Sequence, residues 1–190
     1  MRLFEEFSEK EEEMSLAGSL LIAHPSQTQG YFKRTVVLLI VHSTEDGSLG
    51  LILNRPLEKK LGDYNSGLLG SELESVPLFD GGPVNGDQLI LVAWKQTDRN
   101  TLKFYFGIDE AKACELIASD PEFEVRGFFG YAGWSEHQLE GELQMDAWVL
   151  TELSAKLSKL DSPDTWRKLL AAKGPKMQLL SGEPQDPSLN

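Results

Sequence analysis

Two arginines stand where apolar segments begin and end. Arg34 directly precedes the run from Thr35 to His42, and Arg55 directly follows the run from Leu49 to Asn54. A guanidinium is planar, permanently charged and able to grip a carboxylate or phosphate with two parallel hydrogen bonds. The Asn54 amide beside Arg55 adds a neutral donor and acceptor. If the two guanidinium groups converge near the glycine turn Asp80-Gly81-Gly82-Pro83, these residues form a small-anion site, with Gly81 and Gly82 offering backbone amides. The simpler structural reading is that both arginines pair with some of the chain's 30 acidic residues and anchor loops. The glycine turn itself lacks the lysine and hydroxyl of a phosphate loop and is flanked by Asp80 and Asp87, so it reads first as a tight structural turn. Trp134, in the short glycine-aromatic turn expected over Gly130-Tyr131-Ala132-Gly133-Trp134, completes the candidate set as an aromatic surface. An aromatic beside glycines also fits a core corner.

Other chemistry finds less support. Trp134-Ser135-Glu136-His137 invites a serine-hydrolase reading, but the position two after Ser135 holds His137 where the nucleophile elbow needs glycine. Ser135 reads better as a helix cap with Gln138 three residues on. His137 and Glu140 share a helix face and offer two metal ligands, fewer than the three or four a stable site needs, and His24 and His42 lie elsewhere. Cys114 is the only cysteine, which excludes an intrachain disulfide and a multi-cysteine metal cluster. Its apolar neighbours make it a packing residue. No catalytic residue, metal site or cofactor is expected.

The elements that must position these groups alternate between strand and helix patterns. Leu20 to Ala23 reads as a short strand, and Thr35 to His42 as a strand covered on both faces. With Leu49 to Asn54 it makes a hairpin through Asp46-Gly47, a dipeptide suited to the positive φ of a tight turn. Val76 to Phe79 and Gln88 to Trp94 read as a second hairpin-like unit around the glycine turn. A weak short helix is expected within 57–70, a strand over Leu102 to Phe106, and a helix from Asp109. An extended stretch follows over Phe123 to Phe129, with a helix opening at Ser135, a last strand within Met145 to Leu150, and a helix from Ser162-Pro163 that Gly174-Pro175 ends.

At 190 residues, 41% hydrophobic and 25% charged, the chain has the size and balance of one soluble globular domain. The expected organisation is an acidic extension over 1–15, a domain over 16–180 and a flexible tail over 181–190. Phe4 and Phe7 in the extension are candidates for docking on the domain or a partner. The longest apolar run, Val36 to Val41, is far short of the roughly 18 residues that span a bilayer, and a basic leader is absent, so the expected location is cytoplasmic. Eighteen Lys and Arg against 30 acids give a net charge of -12, which repels nucleic acid and anionic membrane at long range. Direct DNA binding would need a basic helix, and Asp161 to Lys173 offers only Arg167, Lys168 and Lys173.

Five blocks in order carry a resemblance: Gly18 to Pro25, Phe32 to Val37, Gly50 to Pro56, Gly81 to Val84, and Gly130 to Trp134 with Gln138 to Glu140. Together they resemble the bacterial YqgE/AlgH family, also called UPF0301 or DUF179, over about residues 16 to 180. The resemblance implies an α+β fold, a single domain around a flattened, barrel-like mixed β-sheet with flanking helices. It also implies a cytoplasmic protein labelled a transcriptional regulator. The acidic N-terminal extension and His24, where methionine is usual, depart from the common pattern. The expected function is a non-enzymatic regulatory or interaction module acting through a protein or small-molecule partner. The alternatives are a direct DNA-binding regulator, and an enzyme or small-anion-binding protein with a site near Arg34, Arg55 and the Gly81-Gly82 loop.

Overall fold

The computed structural model describes residues 15–96, 102–153 and 156–182. In chain order these form β1 (Leu20–Ala23), β2 (Val36–Ser43), β3 (Gly47–Ile52), β4 (Pro56–Lys60) and the one-turn helix α1 (Leu61–Tyr64). Then come β5 (Pro77–Asp80), β6 (Val84–Gln96), β7 (Leu102–Ile108), α2 (Glu110–Ser119) and β8 (Glu124–Trp134). The last elements are α3 (Gln138–Gln144), β9 (Trp148–Thr151), α4 (Thr165–Ala171) and α5 (Pro175–Ser181). The described strands join one mixed sheet in the order β4-β5-β8-β3-β2-β1-β9, with β6 pairing β8 and β7 continuing from β6.

The β2–β3 hairpin forms as its sequence predicts. Val37 faces Ile52 and Ser43 faces Gly47, whose φ of 88° carries the turn. β8 is the pivot of the whole sheet. Its first half lies between β6, antiparallel, and β5, parallel, and its last residues pair antiparallel with β3. Register shifts in β2–β3, β6–β7 and β6–β8 add local twist, which curls the sheet into a half-barrel. The fold is therefore α+β, a curled mixed sheet with flanking helices.

Three expectations are corrected here. Residues 76–79 and 88–94 do not pair with each other, because β8 inserts between β5 and β6 and hydrogen-bonds to both. Gly130 to Trp134 is strand rather than turn, the C-terminal end of β8. Pro175, read as a helix terminator, also occupies the first turn of a further helix, α5, where its fixed φ and missing N–H cause no loss.

Two apolar clusters flank the sheet. Leu21, Ile22, Val36, Val37, Leu39, Ile52 and Phe128 belong to the larger cluster, joined by Leu157, Leu160, Trp166 and Leu170 from the C-terminal segment. Leu61, Leu73, Leu78, Ala113 and Leu116 form the second cluster, which lies beneath α2. Burying each Leu, Ile or Val side chain stabilises by about 1.5–3 kcal/mol, so the C-terminal helices are tied to the barrel by packing. Trp166 adds a directed contact, its indole N–H donating to the Ala23 carbonyl at 2.7 Å. No helix among the described residues is long and apolar enough to cross a membrane.

Candidate functional site

The end of β3 and the loop before β2 are held together by one side chain. Asn54, 3% exposed, accepts a hydrogen bond from the Val36 amide at 2.8 Å and donates to the Arg34 carbonyl at 2.9 Å. Both functional atoms of this amide serve the backbone. They fix Arg34 in the left-handed region, at φ 58°, where a side chain other than glycine needs such support. Asn54 thus fixes the backbone of Arg34 with both of its polar side-chain atoms.

Arg55 is the centre of a second knot. The β4–β5 register places Pro56 opposite Phe79, and the Asp80 amide bonds the Arg55 carbonyl at 3.0 Å. The Arg55 Nη1 then meets Asp80 Oδ2 at 3.3 Å, while Nη2 donates to the carbonyls of Tyr31 and, at 3.4 Å, Lys33. Its guanidinium carbon lies 4.9 Å from the Tyr31 ring centre, a cation–π stack. The Tyr31 hydroxyl donates to the other Asp80 oxygen. Burial first, and then that hydrogen bond, push the Tyr31 phenol up to about 12, so it stays protonated across the neutral range.

Between these two knots and α4 lies a cleft of about 570 Å³. Lys33, Arg34, Arg55 and Arg167 line it, against Asp80 and Asp164. Arg34 stands over Trp166, its guanidinium carbon 5.3 Å from the ring centre. Arg34, Asn54 and Arg55 are thereby brought to one place.

Gly81 and Gly82 leave the cleft at once. The Gly81 amide bonds the Phe129 carbonyl at 2.8 Å and its carbonyl accepts from Ile52 at 3.0 Å. A Cβ at Gly82, where φ is 149°, would lie 2.1 Å from the Tyr131 carbonyl carbon. The turn is glycine because β8 passes directly against it. Trp134 also lies apart from the cleft, buried, with its indole N–H on Glu142 at 2.9 Å and its ring stacked on Phe32 at 6.2 Å. Trp148 donates to the same Glu142 oxygen at 2.7 Å.

The sequence reading left out Asp80, Trp166 and Arg167 as cleft residues, Tyr31 as the partner of Arg55 and Asp80, and also Arg126. Arg126 is 5% exposed, with its guanidinium carbon 4.9 Å from both the Phe79 and Trp94 rings. It reaches Asp161 at 3.1 Å and Glu124 at 4.0 Å, and its Nη1 has no hydrogen-bond partner among the described residues. Burial pulls its guanidinium down from the usual arginine range, opposed by Asp161 and Glu124. A lone cation in the stretch from Phe123 to Phe129, whose one other charge is Glu124, was the available signal. The Ser135 hydroxyl and amide both engage Gln138 Oε1, and α3 starts only at Gln138, so one half of the expected capping box forms ahead of the helix. His137 is exposed and pairs with Glu136 at 3.3 Å, while His42 pairs with Glu140 at 3.0 Å.

These features define a class, the α+β half-barrel with a cationic cleft between its sheet and its C-terminal helices. The family model described as AlgH-like, DUF179, matches residues 20–178, and the chain belongs to that family. A UPF0301 protein of Chlamydia felis is 35% identical, covering 91% of this chain and 94% of its own length. One from Bacteroides fragilis is 34% identical, covering 93% and 92%. The solution structure of the AlgH protein from Pseudomonas aeruginosa aligns at a TM-score of 0.62 and 25% identity over 93% of this chain and 98% of that one. A crystal structure of a Corynebacterium diphtheriae protein shares the fold at a TM-score of 0.67 and 21% identity, over 92% and 95%.

Proposed function

We propose that this protein is a non-enzymatic regulatory or interaction module of the cytoplasm that takes an anionic group of a protein or small-molecule partner into the Arg34–Arg55 cleft. The observation that carries the reading is the gathering of Lys33, Arg34, Arg55 and Arg167 around one opening, against two carboxylates, in a chain of net charge -12. With a Debye length of about 8 Å at physiological salt, those cations act on a bound anion together while the acidic remainder is screened. Arg55, tied to Asp80 and two carbonyls, serves as scaffold and local potential; Lys33, Arg34 and Arg167 add their charge at the cleft wall. Any effect on transcription is then indirect, because Asp161 to Lys173 offers only Arg167, Lys168 and Lys173 to a DNA groove, thin support for a recognition helix. Against an enzyme reading stand the engagement of Ser135 by Gln138 and the raised Tyr31 phenol, neither of which leaves an activated nucleophile.

Isothermal titration of citrate at matched ionic strength tests the reading. Binding should weaken as salt rises. The Arg34→Gln, Arg167→Gln double variant should bind at least about fivefold more weakly, equivalent to about 1 kcal/mol. Equal citrate affinity in the double variant overturns the assignment of the cleft.

A further inference from the structure

Two base-rich segments of the chain meet at the cleft. From Lys156 to Gly182 the chain carries Lys156, Lys159, Arg167, Lys168, Lys173 and Lys176 against only Asp161 and Asp164. The segment from His24 to Arg34 contains Lys33 and Arg34 and no acid. Trp166 joins the two, bonded to the Ala23 carbonyl and lying under Arg34. The cleft face thus draws three of its four cations, Lys33, Arg34 and Arg167, from two base-rich segments of an acidic protein. The opposite composition occurs within residues 1–14, where Glu5, Glu6, Glu9, Glu11, Glu12 and Glu13 outnumber Arg2 and Lys10. That segment, with its Phe4 and Phe7, lies outside the described residues.

Resting on the cleft reading, we propose that this face is an interaction surface whose occupant in the absence of a partner is the chain's own acidic segment, residues 3–13. Reach permits it. The Gly18 amide bonds the Leu39 carbonyl, and Leu39 lies five residues along β2 and its approach from Arg34, about 17 Å at roughly 3.3 Å per residue. Glu13 is five residues upstream of Gly18 and Glu5 thirteen, so the glutamates reach about 17–45 Å from that anchor. The chemistry matches as well. Carboxylates meet the guanidinium rim of Arg34 and Arg167, while Phe4 and Phe7 find apolar surface at the cleft edge on Leu57, 38% exposed, and Tyr31, 42% exposed. The tether supplies an effective concentration on the millimolar scale, enough to hold a contact that is weak between separate molecules.

The test uses full-length protein in which Glu5, Glu6, Glu9, Glu11, Glu12 and Glu13 are changed to Gln. Citrate affinity should rise two- to fivefold over the natural sequence at about 50 mM salt, and the difference should vanish near 500 mM. A synthetic peptide of residues 1–14, titrated into the ¹⁵N-labelled variant, should shift the backbone amide signals of Lys33, Arg34 and Arg167. Citrate binding that is equal in both proteins, and lost with Arg34→Gln, leaves the cleft reading intact and overturns the occupant. If citrate binds neither protein, the peptide titration still decides. Shifts confined to those residues support the surface, and their absence refutes it.

Discussion

Replacing Asn54 by Ala isolates the device that aims the cleft. The substitution removes an acceptor from the Val36 amide and a donor from the Arg34 carbonyl, two backbone groups at a position 3% exposed. Each buried group left without a partner costs about 1–3 kcal/mol. Arg34 also loses the support that holds its left-handed backbone, so the loop relaxes and recovers part of that loss. The expected net destabilisation is about 3 kcal/mol, or roughly 6–12 °C in Tm for a domain of this size. Urea denaturation followed by tryptophan fluorescence reads the first quantity, and calorimetry the second. Citrate affinity should fall in the same variant although the amide touches no ligand. Asn54→Asp keeps the acceptor but sets an anionic oxygen against the Arg34 carbonyl, and should lose at least as much. A loss below about 1 kcal/mol for Asn54→Ala, with citrate binding unchanged, would refute the reasoning that this side chain builds the site.

Gly82→Ala should cost at least about 3 kcal/mol or abolish soluble expression, since its Cβ would fall 2.1 Å from β8 backbone at a φ only glycine favours; thermal melting checks this. The Tyr31 phenol should titrate near 12 by difference absorbance against Tyr31→Phe. Because the folded value lies above the ordinary 10, its contribution to stability is complete below about pH 10 and is lost as pH rises toward 12; a difference curve centred near 10 contradicts the Asp80 contact. Arg126→Met should leave stability within about 1 kcal/mol of the natural protein, because it removes a buried charge with an unpaired Nη1 and leaves Asp161 able to hydrate. Asp161→Leu, which strands that charge, should cost about 1–3 kcal/mol more, and the reverse order in urea denaturation would contradict this account.

The parts of the fold that were legible are those written in local sequence. Asp46-Gly47 between two β-branched runs specifies the β2–β3 hairpin, and Asp109 caps α2 by accepting from the Lys112 amide at 2.7 Å. The position of β8 was not legible, because its parallel pairing with β5 joins residues about 50 apart and nothing in either strand encodes the other. The site follows the same division. Arg34, Asn54 and Arg55 could be singled out because they flank apolar runs. Their partners could not, since Tyr31 meets Asp80 across 49 residues and Arg34 meets Trp166 only after α4 folds back onto β1. Gly81 and Gly82 drew notice for an unusual backbone, which here answers the close passage of β8.

Chemical-shift mapping of citrate on ¹⁵N-labelled full-length protein tests the central claim most directly. The account predicts salt-sensitive shifts centred on Lys33, Arg34, Arg55 and Arg167, abolished by Arg34→Gly, a change that removes the side chain while glycine accepts the left-handed backbone. Shifts centred elsewhere, or retained in full by Arg34→Gly, would contradict it.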